Sequence, residues 1–162
     1  MPAKTAEALK GMYALKLYAN IFNGNYYIGG WMHTEDGGYM DEDGYVFIVD
    51  RIKDMIITGG ENVYSAEVEN AILKMGPDVA MCAVIGTPDP KFGELVTAVV
   101  VPAPGKSVSA ENVVSHCRKL IAGFKVPRKV LIRDSLPMSG AGKILKNDLR
   151  KEFKTDALGA KL

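Results

Sequence analysis

Two valine-rich runs constrain this chain more than any other feature. Residues 79–85 and 95–101 are apolar almost throughout and are bounded by Pro and Gly. An unbroken apolar run of that length reads as a buried strand. Helical stripes alternate with them. Val68, Ile72 and Met75 recur at helical spacing after Ser65, which is placed to cap a helix running to about Met75, and Glu67 and Glu69 lie in its first turns, where the helix dipole favours acids. Ser109 is placed to cap a second helix whose inner stripe is Val113, Val114, Cys117, Leu120 and Ile121. Residues 130–132 form a third core strand after Pro127, and Leu145, Leu149 and Phe153 mark a last helix. The fold class that follows is α+β: a small domain with a three-stranded core sheet packed by helices, plus a short two-stranded hairpin, from about residue 53 onward.

Upstream the pattern changes. Leu9, Tyr13, Leu17 and Ile21 recur every fourth position, which predicts a helix over residues 5–22, weakened by Gly11 and ended by Asn23-Gly24-Asn25. From Gly29 to Gly44 the Gly, Asp and Glu content reads as loop and turn, and residues 45–49 and 55–58 as short strands. The N-terminal part is therefore expected to be a helical or irregular extension.

Bulk properties exclude several classes. A chain of 162 residues holds one ordinary domain with at most an appendage. A formal net charge of +1 argues against nucleic-acid binding, and no apolar stretch is long enough to span a bilayer. Cys82 and Cys117 form no CxxC pair, so neither a disulfide framework nor a zinc site is suggested and a cytoplasmic setting is expected.

Local chemistry offers little by itself. Gly140-Ala141-Gly142-Lys143 invites a phosphate-loop reading, but Pro137 and Ile144 occupy the positions that need Gly and Ser or Thr. The acidic stretch Asp41-Glu42-Asp43-Gly44 lacks the ligand spacing of a calcium loop and reads as a hairpin turn. His33 and His116 have no partners at metal-ligand spacing, and there is no G-x-S-x-G elbow.

The wording of a series of motifs changes that. Gly30-Trp31-Met32-His33-Thr34-Glu35-Asp36, then Asp41-Glu42-Asp43-Gly44-Tyr45, resemble the adenylate-forming superfamily of acyl-CoA synthetases, as do Asp50-Arg51-Ile52-Lys53-Asp54-Met55-Ile56-Ile57 and Gly59-Gly60-Glu61-Asn62-Val63-Tyr64. Phe124-Lys125-Val126-Pro127 and Leu136-Pro137-Met138-Ser139-Gly140-Ala141-Gly142-Lys143-Ile144 continue the resemblance in the family's order. It implies a truncated AMP-forming acyl-CoA synthetase that lacks its large N-terminal domain. Residues 1–29 would be an extension or insertion, 30–52 a remnant of the large domain's end, and 53–162 the C-terminal lid. The family reaction joins a fatty acid or other carboxylate to CoA through an acyl-adenylate, consuming ATP and releasing AMP and pyrophosphate.

By the same resemblance, Asp36 and Arg51 bind the ribose hydroxyls of ATP, a carboxylate suiting vicinal hydroxyls because it accepts two hydrogen bonds at once. Lys53 falls at the hinge. Gly59 and Gly60, with Glu61 beside them, belong to the CoA-binding face, and Lys143 is the catalytic lysine that bridges the carboxylate and the α-phosphate. Magnesium would come from the missing large domain; this chain is expected to hold no metal site. The large domain, in the same or a separate chain, is the expected partner, and residues 11–29, rich in Tyr and Phe, are a candidate self-association surface. Isolated, the chain is expected to be inactive. Glu35 stands where the family motif has glycine, which brings bulk and charge close to the ribose site. The competing reading is a non-catalytic relic lid that binds a nucleotide or a partner.

Overall fold

A computed structural model describes the backbone of residues 13–18, 27–28, 31–43 and 45–159, and the side chains of residues 35–39, 41–43 and 45–153. The chain divides into two compact units, Met1–Lys53 and Asp54–Leu162.

The larger unit is built on a long antiparallel pair, β7 (Val79–Asp89) and β8 (Gly93–Pro102), with Val84 opposite Ala98. β9 (Lys129–Ile132) runs parallel to β8, which completes the expected three-stranded core. The two expected short strands do not pair with each other: residues 46–51 pair with residues 36–40 in the smaller unit, and β5 (Ile56–Thr58) pairs with β6 (Glu61–Val63) in a hairpin that joins the larger sheet where Thr58 meets Gly93. The sheet therefore has five strands, with β8 carrying β7 on one edge and β5 and β9 in succession on the other.

The unbroken valine runs follow from what covers this sheet. Cys82, Val84, Val96, Ala98 and Val100 face a core shared with helices α1 (Ser65–Leu73) and α2 (Ala110–Cys117), which contribute Val68, Ile72, Val113 and Cys117. Ala83, Ile85, Val99 and Val101 face the opposite core, closed by Leu136 and by Leu149 and Phe153 of helix α3 (Lys146–Gly159). Successive residues point to opposite faces, so helices on both sides require apolar residues at every position. Among the described residues, no helix is long and apolar enough to cross a membrane.

Local chemistry decides the helix ends with one exception. Ser109 caps α2 by accepting from the Asn112 N–H at 3.2 Å. Ser65 does not cap α1: Tyr64 is the cap residue without a side-chain bond, and the fully buried Ser65 hydroxyl accepts instead from the Lys146 ammonium at 2.8 Å. Leu120 was expected on the α2 stripe, but α2 ends at Cys117 and Leu120 lies in the exposed turn beyond it. His116 is structural, its Nε2 lying 3.1 Å from the Ala71 carbonyl oxygen across the α1–α2 contact.

In the smaller unit two expectations are corrected. Residues 13–18, inside the expected helix, form strand β1 (Tyr13–Tyr18), and residues 31–40, expected as loop, form strand β3 (Trp31–Met40). β3 pairs with β1, with β2 (Tyr27–Ile28) and with β4 (Val46–Arg51). The four-residue spacing of Tyr13 and Leu17 is also a two-residue alternation through Leu15, and pairing to β3 selects the second period. The remaining residues of the expected helix and most of residues 11–29 lie outside the described residues. The β3–β4 turn is the expected one: Asp41 Oδ1 accepts from the Asp43 and Tyr45 N–H groups at 3.1 and 2.8 Å.

Leu149 is fully buried between α3 and the sheet. Leu149→Ala is expected to lower unfolding stability by about 3 kcal/mol, the lost burial of its side-chain carbons plus the cost of the cavity left behind, as measured by urea denaturation.

Candidate functional site

The expected site residues fall into a set on each unit. On the smaller unit, register brings Asp36 on β3 directly opposite Arg51 on β4. Arg51 Nε lies 3.8 Å from Asp36 Oδ1, and the side chains are 58% and 32% exposed, so a ligand can reach both. The Arg51 backbone is fixed by its N–H donating to Asp50 Oδ1 at 2.8 Å. A carboxylate beside a guanidinium offers acceptors and donors together, the combination a sugar diol uses. Lys53 lies in a 3-10 turn, Ile52–Asp54, and is exposed as the last residue of this unit.

Glu35 explains the family's glycine. Its φ is 61°, the one left-handed non-glycine backbone among the described residues. Between the Ala14–Gly37 and Lys16–His33 pairs, residues 34–36 of β3 stand opposite Leu15 alone, and this bulge imposes the left-handed turn. Glycine adopts that conformation freely, whereas glutamate pays for its Cβ. Glu35→Gly is expected to stabilise the smaller unit by about 1 kcal/mol, read from urea unfolding by the fluorescence of Trp31.

On the larger unit, Gly59 and Gly60 form the two-residue turn of the β5–β6 hairpin, with φ of 59° and 84°. Two successive positive φ values define a turn that selects glycine. The Gly59 N–H donates to the Phe92 carbonyl at 2.8 Å, and a Cβ on Gly59 would lie 3.5 Å from the Phe92 ring. Around Gly60 nothing lies within 4 Å, so within this chain the backbone rather than crowding demands glycine there. Glu61 follows on β6, exposed and opposite Thr58.

Lys143 sits on a tight hairpin over residues 137–145. The Ser139 N–H donates to the Lys143 carbonyl at 2.8 Å, the Lys143 N–H to Ser139 Oγ at 3.1 Å, and the Leu145 N–H to the Pro137 carbonyl at 2.8 Å. The side chain is exposed and has no carboxylate within ion-pair distance among the described residues. Its neighbour Lys146 differs. Lys146 Nζ lies 2.7 Å from Glu69 Oε1, both side chains under a fifth exposed. Of the two lysines, one is spent on structure and the other is held out on a rigid support.

Sequence reasoning missed three groups. Glu69 and Lys146 form the half-buried tie just described, and Arg150 pairs with Asp54 at 2.8 Å. Arg118 and Arg128 rim an open groove of ≈ 340 Å³ beside α2, floored by Val114 and Val130. Neither guanidinium has a carboxylate partner among the described residues, and that of Arg128 lies 4.3 Å over the Phe92 ring. The four-residue step from Lys146 to Arg150 was the available signal for the ties; Arg118 and Arg128 give none until α2 and β9 are packed. No group of three His, Cys, Asp or Glu side chains gathers as a metal site among the described residues. Cys82 and Cys117 are buried free thiols, and burial, reinforced by Glu69, pushes Cys82 up to about 12.

Several known proteins are similar to this chain. Feruloyl-CoA synthase from Amycolatopsis sp is 51% identical over 124 residues, covering 76% of this chain and 25% of that protein. A fatty acid–[acyl-carrier-protein] ligase, ScoC of Streptomyces coeruleorubidus, is 44% identical over 157 residues, 97% of this chain and 27% of its own length. The solved structure of ATP-bound MatB from Rhodopseudomonas palustris superposes with a TM-score of 0.73 at 39% identity, covering 95% of this chain and 27% of that one. The chain thus spans about a quarter of the length of the relatives it matches. The family model for the AMP-binding enzyme C-terminal domain matches residues 67–143, from α1 to the exposed lysine of the hairpin. Through that segment this chain belongs to the AMP-binding enzyme C-terminal domain family.

Proposed function

We propose that this chain is the lid of an AMP-forming carboxylate–CoA ligase and supplies one half of an active site. The observation that carries this reading is Lys143: an exposed ammonium on a closed hairpin, with no carboxylate partner among the described residues. In the first half-reaction a carboxylate oxygen attacks the α-phosphorus of ATP, pyrophosphate leaves and an acyl-adenylate forms. Both reactants are anions, and an ammonium between them offsets the charge that accumulates as they approach. Asp36 would accept from the ribose hydroxyls, with Arg51 donating beside it.

In the second half-reaction the CoA thiolate attacks the acyl carbonyl and AMP leaves. The lid would turn at Lys53 and present the Gly59–Gly60 turn and Glu61 to the thiol arm. The open space around Gly60 suits such a passage. The phosphorylated end of CoA is a polyanion, and the guanidiniums of Arg118 and Arg128 are available to it along the same surface through Phe92. The acyl pocket and any magnesium ligands belong to a large domain, in the same polypeptide or another. The activated acid, fatty or otherwise, is set there. The buried free thiols fit a reducing, cytoplasmic setting.

Two experiments test the proposal. The chain alone should release no pyrophosphate with ATP, magnesium and a panel of carboxylates; mixed with the large domain of a related synthetase it should restore acyl-CoA formation. Lys143→Ala should then lower the adenylation rate by about 100-fold or more, because one donor to the transition-state charge is lost. Failure of the chain to complement any large domain overturns the reading. Separately, Arg118→Glu with Arg128→Glu should weaken CoA binding at least about 10-fold by calorimetry, since each charge-assisted contact is worth about 1.5–3 kcal/mol. Glu35 at a left-handed position favours a second reading, a relic lid that only binds nucleotide. AMP binding without complementation would select it.

A further inference from the structure

Two ion pairs leave the same face of α3. Lys146 and Arg150 are four residues apart, so they stack on one side of the helix. Lys146 reaches Glu69 Oε1 at 2.7 Å and Ser65 Oγ at 2.8 Å, both on α1. Arg150 Nη2 reaches Asp54 Oδ1 at 2.8 Å, and its Nη1 donates to Asn147 Oδ1 at 3.1 Å, which orients the guanidinium. Asp54 is the first residue of the larger unit, next to Lys53. The Asp54 and Arg150 side chains are only 13% and 19% exposed, well protected for a residue in a connecting turn. At the other end, Lys146 follows the Lys143 hairpin after Ile144 and Leu145, with Met138 bridged to Ile144.

We infer that Asp54 and Arg150 are positioning residues: their ion pair clamps the junction after Lys53 to α3, so that the junction and the Lys143 hairpin form one rigid lever. The path is short. It runs from Lys53 to Asp54, through the ion pair to Arg150, then along about one helical turn to Lys146 and the hairpin that carries Lys143. Ile56 is buried in the core on β5, so without the clamp it is Asp54 and Met55, the two residues between Lys53 and that anchor, that are free to lag behind a rotation. A half-buried aspartate left without its guanidinium would turn toward water and pull residues 53–55 from the helix. The buried faces of Leu149 and Phe153 keep α3 itself on the sheet. The pair's role is thus geometric, and it rests on the proposed lid reading only for its consequence in catalysis.

The clamp is tested on the full chain by amide hydrogen exchange. Arg150→Met should raise exchange at residues 53–55 at least tenfold while the β7–β8 amides stay unchanged. Unchanged exchange at residues 53–55 overturns the proposal. If Arg150→Met fails to fold, the charge swap Asp54→Arg with Arg150→Asp serves in its place. Restored protection at residues 53–55 in the swap, with each single variant unprotected, supports the clamp; protection equal in singles and swap overturns it. With a large domain that the unaltered chain complements, Arg150→Met should lower kcat for adenylation about tenfold with the ATP KM within twofold, and the swap should recover the rate. A merely structural loss would instead lower the active fraction and leave kcat per folded molecule intact. Failure of the unaltered chain to complement refutes the lid reading and leaves the exchange result standing.

Discussion

Glu69 sits where the layers of the larger unit meet, and its carboxylate serves two of them at once. Oε1 accepts from the Val84 N–H of β7 at 2.7 Å and lies 2.7 Å from the Lys146 ammonium at the start of α3. Among the described strands β7 pairs only with β8, so its outer edge carries amides that need other acceptors. α1 lies on one face of the sheet and α3 on the other, and the Glu69–Lys146 pair passes around the edge between them. Removing one member of such a protected pair typically costs about 3–5 kcal/mol, because the other is left charged and unsatisfied. Replacing both by apolar residues of similar volume need not cost as much, so the pair is better understood as fixing where α3 begins. That position in turn sets the base of the Lys143 hairpin.

A second carboxylate does similar work on the other edge. Glu94 Oε2 accepts from the Ile57 N–H at 2.9 Å, tying β8 to the β5–β6 hairpin. Its head lies across Gly86, where an added Cβ would come within 2.6 Å of the carboxylate carbon. A side chain at Gly86 would require the Glu94 head, and with it the bond to Ile57, to shift. The Gly59–Gly60 turn is then held twice, by this bond and by the Gly59 bond to Phe92. Both candidate functional loops of the larger unit are thus rigidly mounted.

What the sequence made legible follows the range of the interactions. The valine runs, the α2 cap at Ser109 and the Asp41 turn depend on neighbours a few residues away, and each was readable. Ser65 looked like a cap by the same local rule, but Lys146, far along the chain, took its hydroxyl. The strand at residues 13–18 was lost because Tyr13 and Leu17 satisfy two periods and only pairing with β3 chooses between them. In the site, the Gly59–Gly60 turn and Lys143 were legible as motif wording, and Asp36 and Arg51 as well. Their being cross-strand partners needed the register. The Asp54–Arg150 pair, 96 residues apart in sequence, has no local signature at all.

The two units differ in how far they can stand alone. The larger unit has a helix layer on each face of its sheet and a dry core on both. In the smaller one, Tyr45, Val46, Phe47 and Ile48 are consecutive, apolar and all more than two-fifths exposed. Consecutive strand residues point to opposite faces, so β4 bares apolar side chains on both of its sides, and among the described residues the Tyr39–Phe47 stacking at 5.0 Å recovers part of that surface. A strand of that composition is stable when something covers each face. Asp36 and Arg51 are carried by this ribbon, whereas Lys143 and the Gly59–Gly60 turn are carried by the self-sufficient unit. The carboxylate–guanidinium pair therefore depends for its precision on cover that β4 does not receive from the described residues. The lysine is rigidly placed by α3 and its ion pairs to Glu69 and Asp54 whether or not that cover is present.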